Sequence, residues 1–417
     1  MINNDFPFSP SISLSTEGDH ALNWVGKIAA WVVLLLGFNL AHAQITLDIT
    51  KGASGAGIPI TIAPFGGTSE DIAGIIASDL KRTGKIAPQP PQSQADYAVT
   101  GQVRSGGRGA IVQFQLTGVQ GGKLLDLSFD VPSEQLRPVA HRISDLIYEK
   151  LTGEKGLAGT RIAFVAGGGG TWFLVVADAD GQNPRVILRS GQPIMSPAWS
   201  PDGSRLAYVS FEGRRPQIVV QDVYNGARRV VSAAPGINGA PSWSPDGRRL
   251  AVTLSKDGNP EIYAMDAAGG SPVRLTNGGA IDTEAVWLPD GSIVFTSDRG
   301  GSPQLYRIGS GGGGAQRLTF EGDYNARPAV SPDGRYIAMV HRRNGRFHIA
   351  VLDLQNRQFR VLTPGGLYES PSFAPNGKMV IYSNGQRLEA VSVDGGVKQD
   401  FALRGSVREP VWAPYGR

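Results

Sequence analysis

The sequence predicts two domains: a small N-terminal α+β domain, then an all-β six-bladed propeller closed by its own C-terminal strand. Three observations predict this. Glycine and proline number 56 and 28 of 417 residues, without a collagen-like period of three. That load of helix breakers demands many turns and argues against an all-α chain. The C-terminal part repeats itself about every 43 residues. The repeat array is also incomplete at both ends, and the two missing pieces complement each other.

Composition bounds the function. At 41% hydrophobic and 18% charged, the chain can bury large cores and does not read as disordered. There is no cysteine, which excludes disulfides, thiolate metal sites and cysteine nucleophiles. The net charge is +4, with lysine and arginine dispersed rather than gathered in a basic tract, so no nucleic-acid partner is expected.

From the N-terminus, Ile28 to Leu40 is an uncharged, mostly apolar run of 13 residues, preceded by Lys27 and followed by Ala41-His42-Ala43. It is too short to span a bilayer, which takes about 20 residues. It reads as a secretory signal peptide over residues 1–43, cleaved after Ala43, although Asp5, Glu17 and Asp19 make its leading region unusually long and acidic. The mature chain would start at Gln44 and enter an oxidising compartment, where a lack of stray thiols is an advantage.

Residues 44–155 form the predicted α+β domain. Residues 44–56 are polar and Gly-rich and read as a mobile arm as much as a strand. Ile58–Ala63 reads as a strand. Thr68 is expected to cap a helix over Ser69–Arg82, with Glu70 and Asp71 in its first turn, Ile72, Ile75, Ile76 and Leu80 on one face, and Gly84 as terminator. Tyr97–Val103, Ala110–Leu116 and Leu124–Phe129 read as strands. Pro132–Leu151 reads as mostly helical, with Leu136, Val139, Ile143, Leu146 and Ile147 in one stripe and Pro138 in a first turn.

Residues 156–417 carry the repeat. Its marker recurs as PAWSPDG from Pro197, PSWSPDG from Pro241, AVWLPDG from Ala285, PAVSPDG from Pro328 and PSFAPNG from Pro371, with a truncated PVWAP from Pro410. Aligned on Trp199, Trp243, Trp287, Val330, Phe373 and Trp412, the steps are 44, 44, 43, 43 and 39 residues. Each marker is turn chemistry, with Pro at the second position and Gly at the fourth. Three short apolar runs follow each full marker, such as Leu206–Val209, Gln217–Val220 and Arg229–Val231. Four short strands per repeat is the signature of a propeller blade. Arg161–Val165 matches a second strand with no first, and Pro410–Pro414 matches a first strand with no second. One blade is therefore built from both ends, and the C-terminal strand becomes its innermost.

Catalytic signals are missing from the sequence. There is no Gly-x-Ser-x-Gly, no phosphate-binding loop and no His-Glu-x-x-His. Asp178–Asn183 has a weak likeness to an oxygen-ligand calcium loop but reads as a hairpin turn, because other blades place Asn225-Gly226 and Asp394-Gly395 there. His141, His341 and His348 do not form a ligand set and read as structural. The recurring Trp residues read as core. No catalytic residue, cofactor or metal is expected.

These motifs carry a resemblance. A leader, a small α+β domain, blades marked PxWSPDG and a donated PVWAP strand resemble the TolB family of the Tol–Pal system, supported by Leu151–Gly156, Met195–Ser204, Asn238–Pro241 and Phe295–Asp298. The resemblance implies a non-enzymatic periplasmic adaptor. It would bind the peptidoglycan-associated lipoprotein Pal at one channel mouth, and TolA through the mature N-terminus. In this way it would associate peripherally with the outer membrane and support its integrity and constriction during division. In some species colicins use the same mouth. The connections entering each first strand place the mouth at Met195, Ser196, Asn238, Gly239, Ala240, Thr283, Glu284, Arg327, Glu369 and Glu409. The family's partner contacts match Ala240 and Thr283, while Ile237 stands where well-known members carry histidine. The TolA-binding residues would be Gln44, Ile45, Thr46, Leu47, Asp48 and Ile49. The alternative class is a propeller hydrolase or lyase acting on cell-wall peptides or glycans, for which the mouth offers carboxylates but no convergent histidines.

Overall fold

The computed structural model describes residues 57–119, 121–401, 403 and 406–416. The leader, the cleavage point after Ala43 and the arm with Gln44–Ile49 lie outside the described residues. Among the described residues no helix is long and apolar enough to cross a membrane.

The first domain is a five-stranded sheet in the order β2-β1-β3-β4-β5, with β1 Ile58–Ile62, β2 Ile86–Gln89, β3 Tyr97–Ser105, β4 Ala110–Gly118 and β5 Lys123–Val131. Helices α1 (Ile72–Arg82) and α2 (Leu136–Thr152) pack on one another and share the sheet's core. The alternation along β4 sends Val112, Phe114 and Leu116 inward against Ile72, Ile76, Ile143 and Ile147, all essentially fully buried. Burial of each such side chain contributes about 1.5–3 kcal/mol.

Two expectations need correction. The cap of α1 is Asp71, not Thr68: its Oδ1 accepts the Gly74 N–H at 2.8 Å, so the helix opens at Ile72 rather than Ser69. Thr68 instead accepts the Glu70 N–H at 3.0 Å. Strand β2 went unrecognised because Pro88 removes a donor. It is accommodated on the sheet edge, parallel to β1, where an unpaired side is tolerated. Helix α2 behaves as expected, with Pro138 in its first turn. It ends at Gly153, whose φ of +73° lets its N–H reach the Glu149 carbonyl at 2.8 Å.

The second domain comprises six four-stranded antiparallel sheets. Blade 1 joins Val407–Trp412 to Arg161–Gly168, Thr171–Asp178 and Arg185–Ser190, in that order from the inside. The inner strands of blades 2 to 6 are Ile194–Trp199, Asn238–Trp243, Asp282–Trp287, Tyr324–Val330 and Glu369–Phe373. Each SPDG-type turn closes as its chemistry requires: the Gly203, Gly247, Gly291, Gly334 and Gly377 amides donate to the carbonyl three residues back at 2.8–3.0 Å. Gly203 sits at φ +66°, where a Cβ would be strained.

The marker tryptophans are buried and join neighbouring blades. Trp243 Nε1 donates to the Ala198 carbonyl at 3.1 Å, and Trp199 Nε1 to the Val411 carbonyl at 3.3 Å. Above the indole face lies an arginine that begins the second strand of the preceding blade: Arg161 over Trp199, Arg205 over Trp243 and Arg249 over Trp287, 4.7–5.2 Å from the ring centre. Each such contact adds about 0.5–1 kcal/mol at partly exposed sites.

Closure is antiparallel. Val407 faces Ala166, Trp412 faces Ile162, and Trp412 Nε1 donates to Thr160 Oγ1 at 2.8 Å. Removing residues 408–417 exposes the edge of Arg161–Gly168 and the Trp412 cavity. The truncated chain is expected to lose several kcal/mol, at least the ~3–5 of a buried Trp→Ala change. Denaturant unfolding of both chains checks this, and coincident transitions would contradict the closure scheme.

Candidate functional site

The six inner strands run in one direction around a central channel with a cavity of about 740 Å³. At one end the channel is walled by the SPDG turns and Tyr415, whose hydroxyl donates to the Gly156 carbonyl beside the first domain at 3.0 Å. The other end is the mouth through which the inner strands enter.

At that mouth every inner strand carries the same bulge. Opposite the second strand the register skips: Met195 pairs with Val209 but Ala198 with Ala207, and Thr283 with Thr296 but Val286 with Val294. The other four blades skip in the same way. One residue of each bulge is left-handed without being glycine: Ser196 (φ 51°), Ala240 (44°), Glu284 (57°), Arg327 (53°), Ser370 (53°) and Glu409 (49°). An L-residue there costs roughly 1–2 kcal/mol. Bulges that re-aim side chains cluster at functional positions, and here six of them turn residues into the channel.

Side chains in this ring bridge adjacent blades. Glu284 Oε2 accepts the Arg327 N–H at 2.8 Å, and its Oε1 lies 3.3 Å from Arg327 Nε. Arg327 Nη1 donates to Ser370 Oγ at 2.5 Å. Glu409 Oε2 accepts the Ser196 N–H. Burial raises the Glu409 carboxyl above its ordinary range, partly offset by Arg327 and the Ser196 amide. Thr283 Oγ1 lies 3.2 Å from Thr253 Oγ1.

The sequence-predicted residues therefore meet, with one change of setting. They were expected in connections before the first strands, but they lie within or at the start of those strands, because the bulge lets a strand continue through them. Ser196, Ala240, Thr283, Glu284, Arg327 and Glu409 all wall the channel. Met195 is half-exposed beside its bulge, and Gly239 and Glu369 are half-buried. Asn238 is turned inward: its amide donates to the Ala234 carbonyl at 2.7 Å and its Oδ1 accepts from Ser232 Oγ at 2.6 Å, so it holds the approach to the strand. The Glu409 carboxylate is likewise committed to a neighbouring blade.

One group is legible in the sequence only through Ile237. Three residues before the bulge, three of the six blades place an exposed aliphatic side chain: Ile237 (46% exposed), Ile281 (49%) and Leu367 (75%), with half-buried Tyr324 and Pro193 at two of the other positions. An apolar collar on a rim is an interaction signal. The periodicity that revealed the blades also contained it, three residues ahead of each bulge.

The hairpin Asp178–Asn183 is a turn as expected, with Gly181 at φ +82°. Arg137 pairs with its Asp178 at 3.3 Å and also with Asp180. His341 and His348 are structural, bonded to Asn325 Oδ1 (2.9 Å) and to the Thr363 carbonyl (2.8 Å).

Comparison with known proteins bears directly on this architecture. Residues 148–416 match the family model described as the TolB beta propeller domain, and residues 45–94 match the TolB amino-terminal domain. A Tol-Pal system protein TolB from Thioalkalivibrio sulfidiphilus is 51% identical over 90% of this chain and 95% of its own. One from Nitrosococcus oceani is 50% identical over 94% and 98%. The crystal structure of TolB from Acinetobacter baumannii superposes with a TM-score of 0.80 at 41% identity, covering 86% of this chain and 97% of that one.

If the bulge geometry is strained, relieving it stabilises. Ala240→Gly is expected to gain about 0.5–1 kcal/mol, after allowing for the extra chain entropy of glycine, whereas Ala240→Val loses at least ~1 kcal/mol because a β-branched residue resists the left-handed region. Denaturant titration measures both, and two unchanged midpoints would refute the assignment.

Proposed function

The chain belongs to the TolB family and is a component of the Tol–Pal system, and from that premise we propose that it is a periplasmic adaptor that works by binding rather than by turnover. Its channel mouth grips the lipoprotein Pal, its mature N-terminus engages TolA, and together they keep the outer membrane attached and constricted during division. The observation that carries this reading is the mouth itself: six like bulges, a collar of exposed aliphatic side chains, and polar atoms largely paired within the ring. Such a rim offers rigid, pre-organised complementarity, with apolar area at the edge and satisfied hydrogen bonds within. Colicins would enter at the same mouth. Association with the outer membrane is peripheral and runs through Pal.

Thr283 stands at the centre of the reading because it is half-buried on the channel wall beside Glu284. Thr283→Arg places bulk and charge there and is expected to weaken Pal at least a hundredfold, about 3 kcal/mol, with the melting temperature unchanged. Calorimetric titration with purified Pal and a thermal melt decide it; normal affinity in a folded variant would remove the mouth from the account. Deleting residues 44–56 is expected to abolish TolA capture and leave Pal capture intact, read by pull-down with each partner. Retained TolA binding would place that site elsewhere.

A further inference from the structure

The junction between the two domains holds a cluster of charged side chains that neither partner site uses. Helix α1 supplies Asp79 and Arg82, helix α2 supplies Arg137, His141 and Ser144, and the propeller hairpin supplies Asp178 and Asp180. Arg137 bonds both hairpin aspartates, and Arg82 Nη2 donates to the Ala179 carbonyl at 2.8 Å. His141 is at the centre, 3% exposed. Its Nδ1 lies 2.7 Å from Asp79 Oδ2, which also accepts from Ser144 Oγ at 2.9 Å. Its Nε2 is buried without a hydrogen-bond partner and points across 3.8 Å at Asp178 Oδ2.

That nitrogen has two states. Neutral, with the ring proton on Nδ1 toward Asp79, it sets a bare lone pair against a carboxylate oxygen, and an unpaired buried polar atom costs about 1–3 kcal/mol. Protonated, it aims an N–H at the same oxygen. Charge balance favours the proton. Asp79, Asp178 and Asp180 face Arg82 and Arg137, and Asp145 on α2 adds a further carboxylate when ionised, so the surroundings are net negative and an imidazolium reduces that charge. A divalent cation would have to displace Arg137 from the carboxylates it already pairs with, although Asp79, His141 and Asp180 are close enough together to suggest one.

We propose that His141 is a proton-operated latch between the domains: charged, it ties Asp79 of α1 to Asp178 of the propeller hairpin; neutral, it loosens the junction. The direction of its titration agrees. Burial alone would lower its pKa, but the bond to Asp79 and the charges of Asp79 and Asp180 outweigh burial and raise it. A raised histidine stabilises fully below about 6.5, its unfolded value, and loses that contribution as pH rises through the folded value. The neighbouring Asp145, on α2, is pushed up to about 6 by burial, although the Gly159 and Ala158 amides bond it, and so it titrates on the acid side of this window.

The absence of native cysteine makes the test direct. Spin labels at Lys123→Cys in the first domain and Val273→Cys in the propeller report the interdomain distance in the full chain by double electron–electron resonance, from pH 5 to 9 with chelator present. A narrow distribution near pH 6 that broadens at least twofold by pH 9 is expected, and His141→Gln should be broad throughout. If His141→Gln does not fold, Asp178→Asn serves, and its broadening should begin at least half a pH unit lower. A distribution unchanged from pH 6 to 9, an unshifted transition in Asp178→Asn, or, in a parallel chelator-free sample, added zinc narrowing the distribution at pH 9 as protons do at pH 6, would overturn the latch.

Discussion

One strand pairing governs the rest of this molecule. A row of blades is a sheet-on-sheet stack with two ends, and each end presents unpaired backbone and uncovered apolar surface. By lending Val407–Trp412 to the blade begun at Arg161, the chain leaves neither end free. Each inner strand then lies beside two others, and the channel becomes a fixed aperture. The indole and guanidinium bridges between blades, repeated at Trp199, Trp243 and Trp287, are possible because every blade sees the same neighbour on each side.

The aperture owes its chemistry to backbone geometry. Each inner strand interrupts its ladder at the same place, and the residue released there sits left-handed and wall-forming. Strain of this kind persists only where surroundings over-determine it. The surroundings here include neighbouring bulges: Glu284 holds the amide of Arg327, and Glu409 holds that of Ser196. Charges that would be expensive to bury alone are thereby partly shared between blades. The aliphatic side chains Ile237, Ile281 and Leu367 outside the ring remain exposed.

Much of this was legible in the sequence because turn chemistry repeats. The SPDG turns, the aromatic marker and the incomplete ends specified blade number and closure without coordinates. The bulges were not legible. A left-handed residue ordinarily announces itself as glycine or asparagine, yet these are Ser196, Ala240, Glu284, Arg327, Ser370 and Glu409, five of them followed by proline. Nothing local in such residues reveals the conformation; only the shared register does. The misplaced α1 cap has a similar origin. Thr68 and Asp71 are both competent caps, and the choice falls to whichever side chain meets a free amide, here Gly74. The cluster at the junction was invisible for another reason: Asp79, His141 and Asp180 are far apart along the chain, and two domains must fold before they meet.

The central claim is that the bulged mouth is where another macromolecule is held. Hydrogen exchange of the chain with and without saturating Pal tests it most directly. The account predicts that protection gained on binding is concentrated in the peptides spanning Met195–Ser196, Ile237–Ala240, Ile281–Glu284 and Leu367–Ser370, and spares the outermost strands. Protection gained instead on the outer strands or on the sheet of the first domain, with the mouth unaltered, would contradict it.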